Sequence, residues 1–349
     1  MKNRLLFCIT FLFAFLCIVG TAFAQIKLTA SQLERRDQII LQADALRKEG
    51  KNEEALKLIN QSFWLEPDCG QCFAFRAGIR GNLAQFKEGL MDAHMGVQKS
   101  IKPRDKALSA YNMGFNLEGL KRANEALSAY EDCIRFDETF PMCYFGKGKA
   151  LNSLHLYKEA LKPLETAIQL NTTHGPSWAY KAIAEAALGM GIQSAADGVN
   201  AVKFAPNDPR SYMARAQGVG TLGLYDEMLK DATKALELDP KRPGAHFLRA
   251  QALKGLGRNE EAAREFDLEP DREAVAKFLH PLDHMNMRLY NCGDFSTEIQ
   301  TPDKFNIDGF NDCVKRINDA LDEKIRELEA LPTPKRSVPG LPQRKANNK

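Results

Sequence analysis

The sequence predicts an all-α protein, an α-solenoid of about seven helical hairpins followed by a C-terminal capping helical region. Three observations carry this. A pattern recurs every 34 residues, with segments starting at Arg36, Gly70, Ala107, Pro141, Gly175, Pro209 and Pro243 and one three-residue insertion, Arg104 to Lys106. Small residues recur at fixed places in each copy, where two helices have to approach closely. Between them, larger apolar residues stand at helical spacing, with glycine or proline where each helix stops. Composition agrees: 44% apolar and 27% charged residues, with a mean hydropathy of -0.37, exclude a disordered chain and a polytopic membrane protein. A net charge of +3 over 349 residues is too small for a dominant nucleic-acid footprint.

Residues 1–24 read as an export signal. Lys2 and Arg4 precede an apolar run from Leu5 to Gly20, and Ala22-Phe23-Ala24 supplies the small-x-small pattern of a cleavage site before Gln25. The alternative is an uncleaved anchor, because a run of about 20 residues is long enough to span a bilayer. Cys17 lacks the small neighbour of a lipoprotein signal. Removing Lys2 and Arg4 leaves 46 basic and 45 acidic residues. Residues 25–35 form a lead-in.

The seven copies occupy 36–69, 70–103, 107–140, 141–174, 175–208, 209–242 and 243–268. The eighth residue of each is Ala43, Ala77, Gly114, Gly148, Ala182, Ala216 or Ala250. The twentieth runs Ala55, Gly89, Ala126, Ala160, Ser194, Met228 and Ala262; the twenty-seventh runs Ser62, Gly96, Cys133, Ala167, Ala201 and Ala235 before failing at Glu269. In the sixth copy Tyr212, Val219, Leu222, Tyr225, Leu229, Leu236 and Leu238 make the apolar stripes, Gly223 breaks the first helix, and Asp239-Pro240 ends the second. Pro67, Pro206 and Pro240 fall at one place in their copies and turn the chain into the next hairpin.

The stretches Lys51 to Leu56 with Leu65-Glu66-Pro67, Tyr157 to Leu161, and Lys234 to Pro240 carry a resemblance to the tetratricopeptide repeat family. It covers residues 36 to about 268. The second copy departs most, with Gly89 and Gly96 at small positions and Ile101 in place of proline; the fifth carries Gly189-Met190-Gly191-Ile192 in its turn, and the seventh loses the pattern after Phe266, leaving its second helix weakly supported.

The resemblance implies a superhelix whose concave groove is lined by the first helix of each copy and accepts a protein or peptide. The groove positions it implies are Phe75, Gly78 and Asn82; Tyr111, Asn112 and Phe115; Met142, Phe145, Lys149 and Asn152; Tyr180 and Ile183; Arg210, Met213 and Gln217; and Phe247 and Gln251. Aromatic side chains offer apolar area at low entropy cost, and amides both donate to and accept from a peptide backbone. Several of these residues are equally readable as packing between hairpins. Lys149 and Arg210 stand too far apart for the clustered carboxylate clamp that some relatives use.

Six cysteines follow the export signal, an even number suited to disulfides in an exported chain: Cys69 with Cys72, Cys133 with Cys143, and Cys292 with Cys313 as local couples. Cys133 and Cys143 lie on helices that pack side by side. Cys69-Gly70-Gln71-Cys72 also has a redox reading, as a thiol-disulfide protein, although no βαβ context surrounds it. Phe73 in place of histidine excludes covalent haem attachment.

Residues 269–331 are expected to cap the array, with a helix over 271–280, a turn-rich stretch between Cys292 and Cys313, and an amphipathic helix over 312–331 bearing Val314, Ile317, Leu321, Ile325 and Leu328. The tail, 332–349, has four prolines and five positive charges and is expected to be disordered. His280 and His284 stand four apart beside Asp283, but Pro281 argues against the helix a metal pair would need. The phosphate loop, the dinucleotide glycine pattern and the nucleophile elbow are missing. Asn60-Gln61-Ser62 and Asn171-Thr172-Thr173 have the form of glycosylation acceptors.

The expectation is an exported scaffold, periplasmic or surface-associated, binding a protein or peptide in envelope or surface assembly. It is not an enzyme, needs no cofactor or metal, takes no nucleic acid or small-molecule substrate, and meets the membrane only if its N-terminal segment is retained as a tether.

Overall fold

The computed structural model describes residues 28–270. The export signal, most of the C-terminal cap with its amphipathic stripe, the tail, Cys292, Cys313, His280 and His284 lie outside the described residues. Among the described residues there are fourteen helices and no strand. The described residues divide into two compact units, the first ending at Gly119 and the second beginning at Leu120, with the border inside the third repeat.

The first unit holds α1 (Ala30–Lys48), α2 (Asn52–Leu65), α3 (Gly70–Asn82), α4 (Phe86–Lys99) and α5 (Pro103–Gly119). α1 starts six residues before the first repeat because Thr29 and Gln32 form a capping box: Thr29 Oγ1 accepts from Gln32 N while the Gln32 side chain accepts from Thr29 N. The helices close on a core of Ile40, Ala43, Ala55, Ile59, Cys69, Cys72 and Ile79.

The second unit holds α6 (Ala123–Phe136), α7 (Pro141–Ser153), α8 (Tyr157–Leu170), α9 (Gly175–Ala187), α10 (Gly191–Phe204), α11 (Pro209–Thr221), α12 (Tyr225–Leu238), α13 (Ala245–Gly255) and α14 (Asn259–Asp267). The second helices α8, α10, α12 and α14 pack on their own first helices, α6, α8, α10 and α12 pack on the first helix that follows, and the first helices α7, α9, α11 and α13 touch in succession. They therefore share one face.

The small residues do what their spacing implies. Ala43, Ala77, Ala182 and Ala216 are fully buried, and a Cβ on Gly148 would collide with Leu164. Each fully buried leucine, Leu164 for example, contributes about 1.5–3 kcal/mol. The glycines of the second repeat also have a cause. Asn116 of α5 pushes its amide between α3 and α4, donating to Ala77 O at 3.2 Å and Asn112 O at 2.7 Å, and any side chain on Gly89 would strike it.

The fifteenth residue of every repeat adopts the left-handed conformation. Four are glycines, Gly50, Gly189, Gly223 and Gly257, but Ala84, Lys121 and His155 hold φ near +60° without that freedom.

The seventh repeat does have a second helix, α14, short at nine residues. Glu269, where the small-residue series fails, is buried, and its carboxylate accepts from Gly244 N at 2.9 Å and Phe247 N at 3.1 Å, capping α13.

Candidate peptide-binding face

In the second unit, the shared face of α7, α9, α11 and α13 carries most of the expected groove residues. Met142, Lys149, Tyr180, Ile183, Arg210, Met213, Gln217 and Gln251 are all partly exposed. Three others are not lining residues. Phe145 is 7% exposed and stands edge-on to His174 (4.8 Å between rings) and to Tyr180 (5.6 Å). Asn152 is buried and donates to Tyr180 O at 2.8 Å, tying α7 to α9. Phe247 is buried beside Phe266, with ring centroids 6.3 Å apart. Each faces a neighbouring helix, since a shift of one residue turns a helical position by about 100°.

In the first unit the same sorting holds between α3 and α5. Phe75, Gly78, Tyr111 and Phe115 are partly exposed, and Asn82 is exposed, donating to Asn52 at 3.2 Å. Asn112 is buried: its amide donates to Ala74 O at 2.8 Å. It staples α5 to α3 instead of meeting a ligand.

The polar edge of the second-unit face is preorganised. Asp208 caps α11 by accepting from Arg210 N at 3.0 Å, and the same carboxylate takes Arg210 Nε at 2.9 Å and Nη2 at 2.7 Å. Burial pushes the Asp208 carboxyl up, but the bonds and charge of Arg210 outweigh it and hold the group below its ordinary value. Arg210 is raised in turn, chiefly by its bond to Asp208. His174 is pushed down to about 4 by burial, with the Arg210 charge adding to it, and is neutral at physiological pH. The face therefore offers apolar, aromatic and amide groups around a fixed guanidinium.

Two of the three cysteine couples lie within the described residues. The sulfurs of Cys69 and Cys72, and of Cys133 and Cys143, lie at bonding distance, with Cα separations of 5.2 and 5.5 Å. Cys69 also caps α3, its sulfur accepting from Cys72 N at 3.1 Å. Both cysteines of that couple are buried, so neither sulfur is presented to a partner thiol. Asn60 sits within α2 with Ser62 fully buried, whereas Asn171 sits in the turn after α8.

One repeat-phased feature escaped the sequence reading. The seventh residue of a repeat is often basic and the twenty-third acidic, sixteen residues on, and the two pair across the hairpin. Arg76 meets Asp92 at 2.7 Å, Lys181 meets Asp197 at 2.5 Å, Arg215 meets Asp231 at 2.6 Å and Arg249 meets Glu265 at 2.5 Å. In the fourth repeat Pro163 occupies the acidic place, and Lys147 turns to Glu131 at 2.9 Å instead. The spacing was visible; a search for apolar periodicity passes over it.

No protein-family model matches the chain, and no curated protein matches its sequence. Solved structures do match. The Cut9–Hcn1 hetero-tetramer of the APC/C superposes with a TM-score of 0.55 at 14% identity over 68% of this chain and 48% of that one. PilF of Pseudomonas aeruginosa gives 0.52 at 14% identity over 65% of this chain and 99% of its own. A tetratricopeptide repeat protein of Parabacteroides merdae gives 0.50 at 15% identity over 72% and 100%. The fold is a tetratricopeptide-type α-solenoid.

Proposed function

We propose that this protein is a binding scaffold that holds a segment of a partner polypeptide on the face formed by α7, α9, α11 and α13. The observation that carries the reading is that Met142, Tyr180, Ile183, Met213, Gln217 and Gln251 stay partly exposed on successive first helices, while the neighbouring Phe145, Asn152 and Phe247 are spent on holding those helices together. Apolar and aromatic groups give contact area, the glutamines pair with peptide groups, and Arg210, fixed by Asp208, sets one polar anchor. That the similar Cut9 is found assembled with Hcn1 supports protein binding by a solenoid of this kind. The apolar run before Gln25 supports export, which would place the scaffold in a periplasm or on a cell surface, with envelope assembly as its setting and with the two cysteine couples bonded.

Photo-crosslinkers placed singly at Tyr180 and Gln217, and at Lys230 and Glu237 on α12 as controls, test this in the native envelope fraction. The expected outcome is recurrent crosslinks from positions 180 and 217 to one segment of one protein, lost when Met142, Ile183 and Met213 are changed to alanine with helicity retained. Crosslinks confined to 230 and 237 would overturn it.

A further inference from the structure

The clasp of the fifth repeat differs from the others in its charge count. Lys181 Nζ lies 2.5 Å from Asp197 Oδ2 and 2.6 Å from Glu185 Oε1, so two carboxylates share one ammonium. Glu185 is 2% exposed, and its second oxygen is buried without a partner. The same place holds uncharged Leu46, Leu117, Leu151, Val219 and Leu253 in five other repeats and the cation Arg80 in the second, so Glu185 is the acid of the series. A carboxylate oxygen with no donor is a costly thing to bury, and one added proton turns it into a donor for the adjacent acid.

Apolar clusters join α9 to the neighbouring helices. α7 and α8 meet α9 through the apolar cluster of Phe145, Leu151, Ala160, Leu164, Ala167 and Ala184. α11 meets it through Ala214, packed with Ala179 and Ala182. Arg215 of α11 crosses α10 at Gly198, next to Asp197, but gives its guanidinium to Asp231 at 2.6 Å. Lys181 and Asp197 are the charged groups that act on Glu185.

We infer that the α9–α10 hairpin is a proton-dependent closure: Glu185 holds a proton beside Asp197 and beneath Lys181, and loss of that proton loosens the hairpin. Burial, followed by the Asp197 charge, raises the Glu185 carboxyl from 4.5 to about 8, against the opposing pull of Lys181. The sign follows. A group whose folded value lies above its unfolded one binds more protons when folded, so the stability it lends is whole below about 4.5 and is lost as pH rises through about 8. The proposal stands independently of what the neighbouring face binds.

Hydrogen exchange of the full chain between pH 5.5 and 8.5, corrected for intrinsic rates, reads this directly. The opening constant of α9–α10 amides is expected to rise with pH by up to about tenfold per unit, while α3–α4 stays level, because one proton separates closed from open. Glu185→Gln keeps shape and a donor and should flatten the slope. The same slope in both proteins would overturn the inference. Carboxyl carbon NMR of the wild type gives a second reading that needs no variant: titration of Glu185 near 8 supports it, and titration near 4.5 sinks it.

Discussion

The second and fifth repeats solve one packing problem with opposite charge excesses. In α3–α4, Arg76 and Arg80 share Asp92 at 2.7 Å each; in α9–α10, Glu185 and Asp197 share Lys181. The surplus cation finds outlets. Arg76 lies over the Phe63 ring at 4.0 Å and donates to Asn60 at 3.0 Å, and Arg80 reaches Glu88 O at 3.3 Å near the surface. A long guanidinium side chain can spread its charge over rings, amides and water. A surplus carboxylate on a short stem, sealed inside, has only protonation. The comparison teaches that the sign of an unmatched charge decides whether a repeat responds to pH.

Removing the shared partner tests this most severely. Lys181→Met strands two buried carboxylates and is expected to cost about 3–5 kcal/mol in denaturant melts, with a steeper loss at high pH. Arg76→Met leaves Arg80 on Asp92 and should cost less, about 1–3 kcal/mol, with no pH dependence near neutrality. Equal losses would break the comparison. Packing around the two clasps differs as well, and Gly89→Ala, which meets Asn116, should cost about 1–3 kcal/mol, with Asn116→Ala restoring much of it in the double variant. The smallest effect lies in the turns. Ala84→Gly relieves a left-handed alanine and should gain about 0.5–1 kcal/mol, whereas Gly189→Ala, at the equivalent place in the fifth repeat, should lose about as much.

The repeat architecture was legible because close helix approach imposes size, and size shows in sequence: Ala43, Ala182 and Ala216 announce themselves. The ligand-facing register was only partly legible. Tyr180 and Met213 stay partly exposed, but Asn112, Asn152, Phe145 and Phe247 turn inward, because neighbouring helical positions point about 100° apart and nothing in composition marks which of two adjacent polar or aromatic residues is buried. The clasps were missed for a different reason. Charged residues at a helix surface usually signify solvent, and only pairing sixteen residues apart, as in Arg215 with Asp231, reveals that these close the hairpin. Glu269 read as decay of the pattern and proves to be a cap, since a carboxylate can serve a helix start that lies distant in sequence.

That cap bears on how this chain could grow. In earlier repeats the corresponding small residue gives berth to the next hairpin, as Ala235 does for Ala245. A duplication pasted directly behind Pro270 would inherit an acid already committed to the start of α13. Lengthening by copying therefore has to happen upstream, or begin with exchange of Glu269 for alanine.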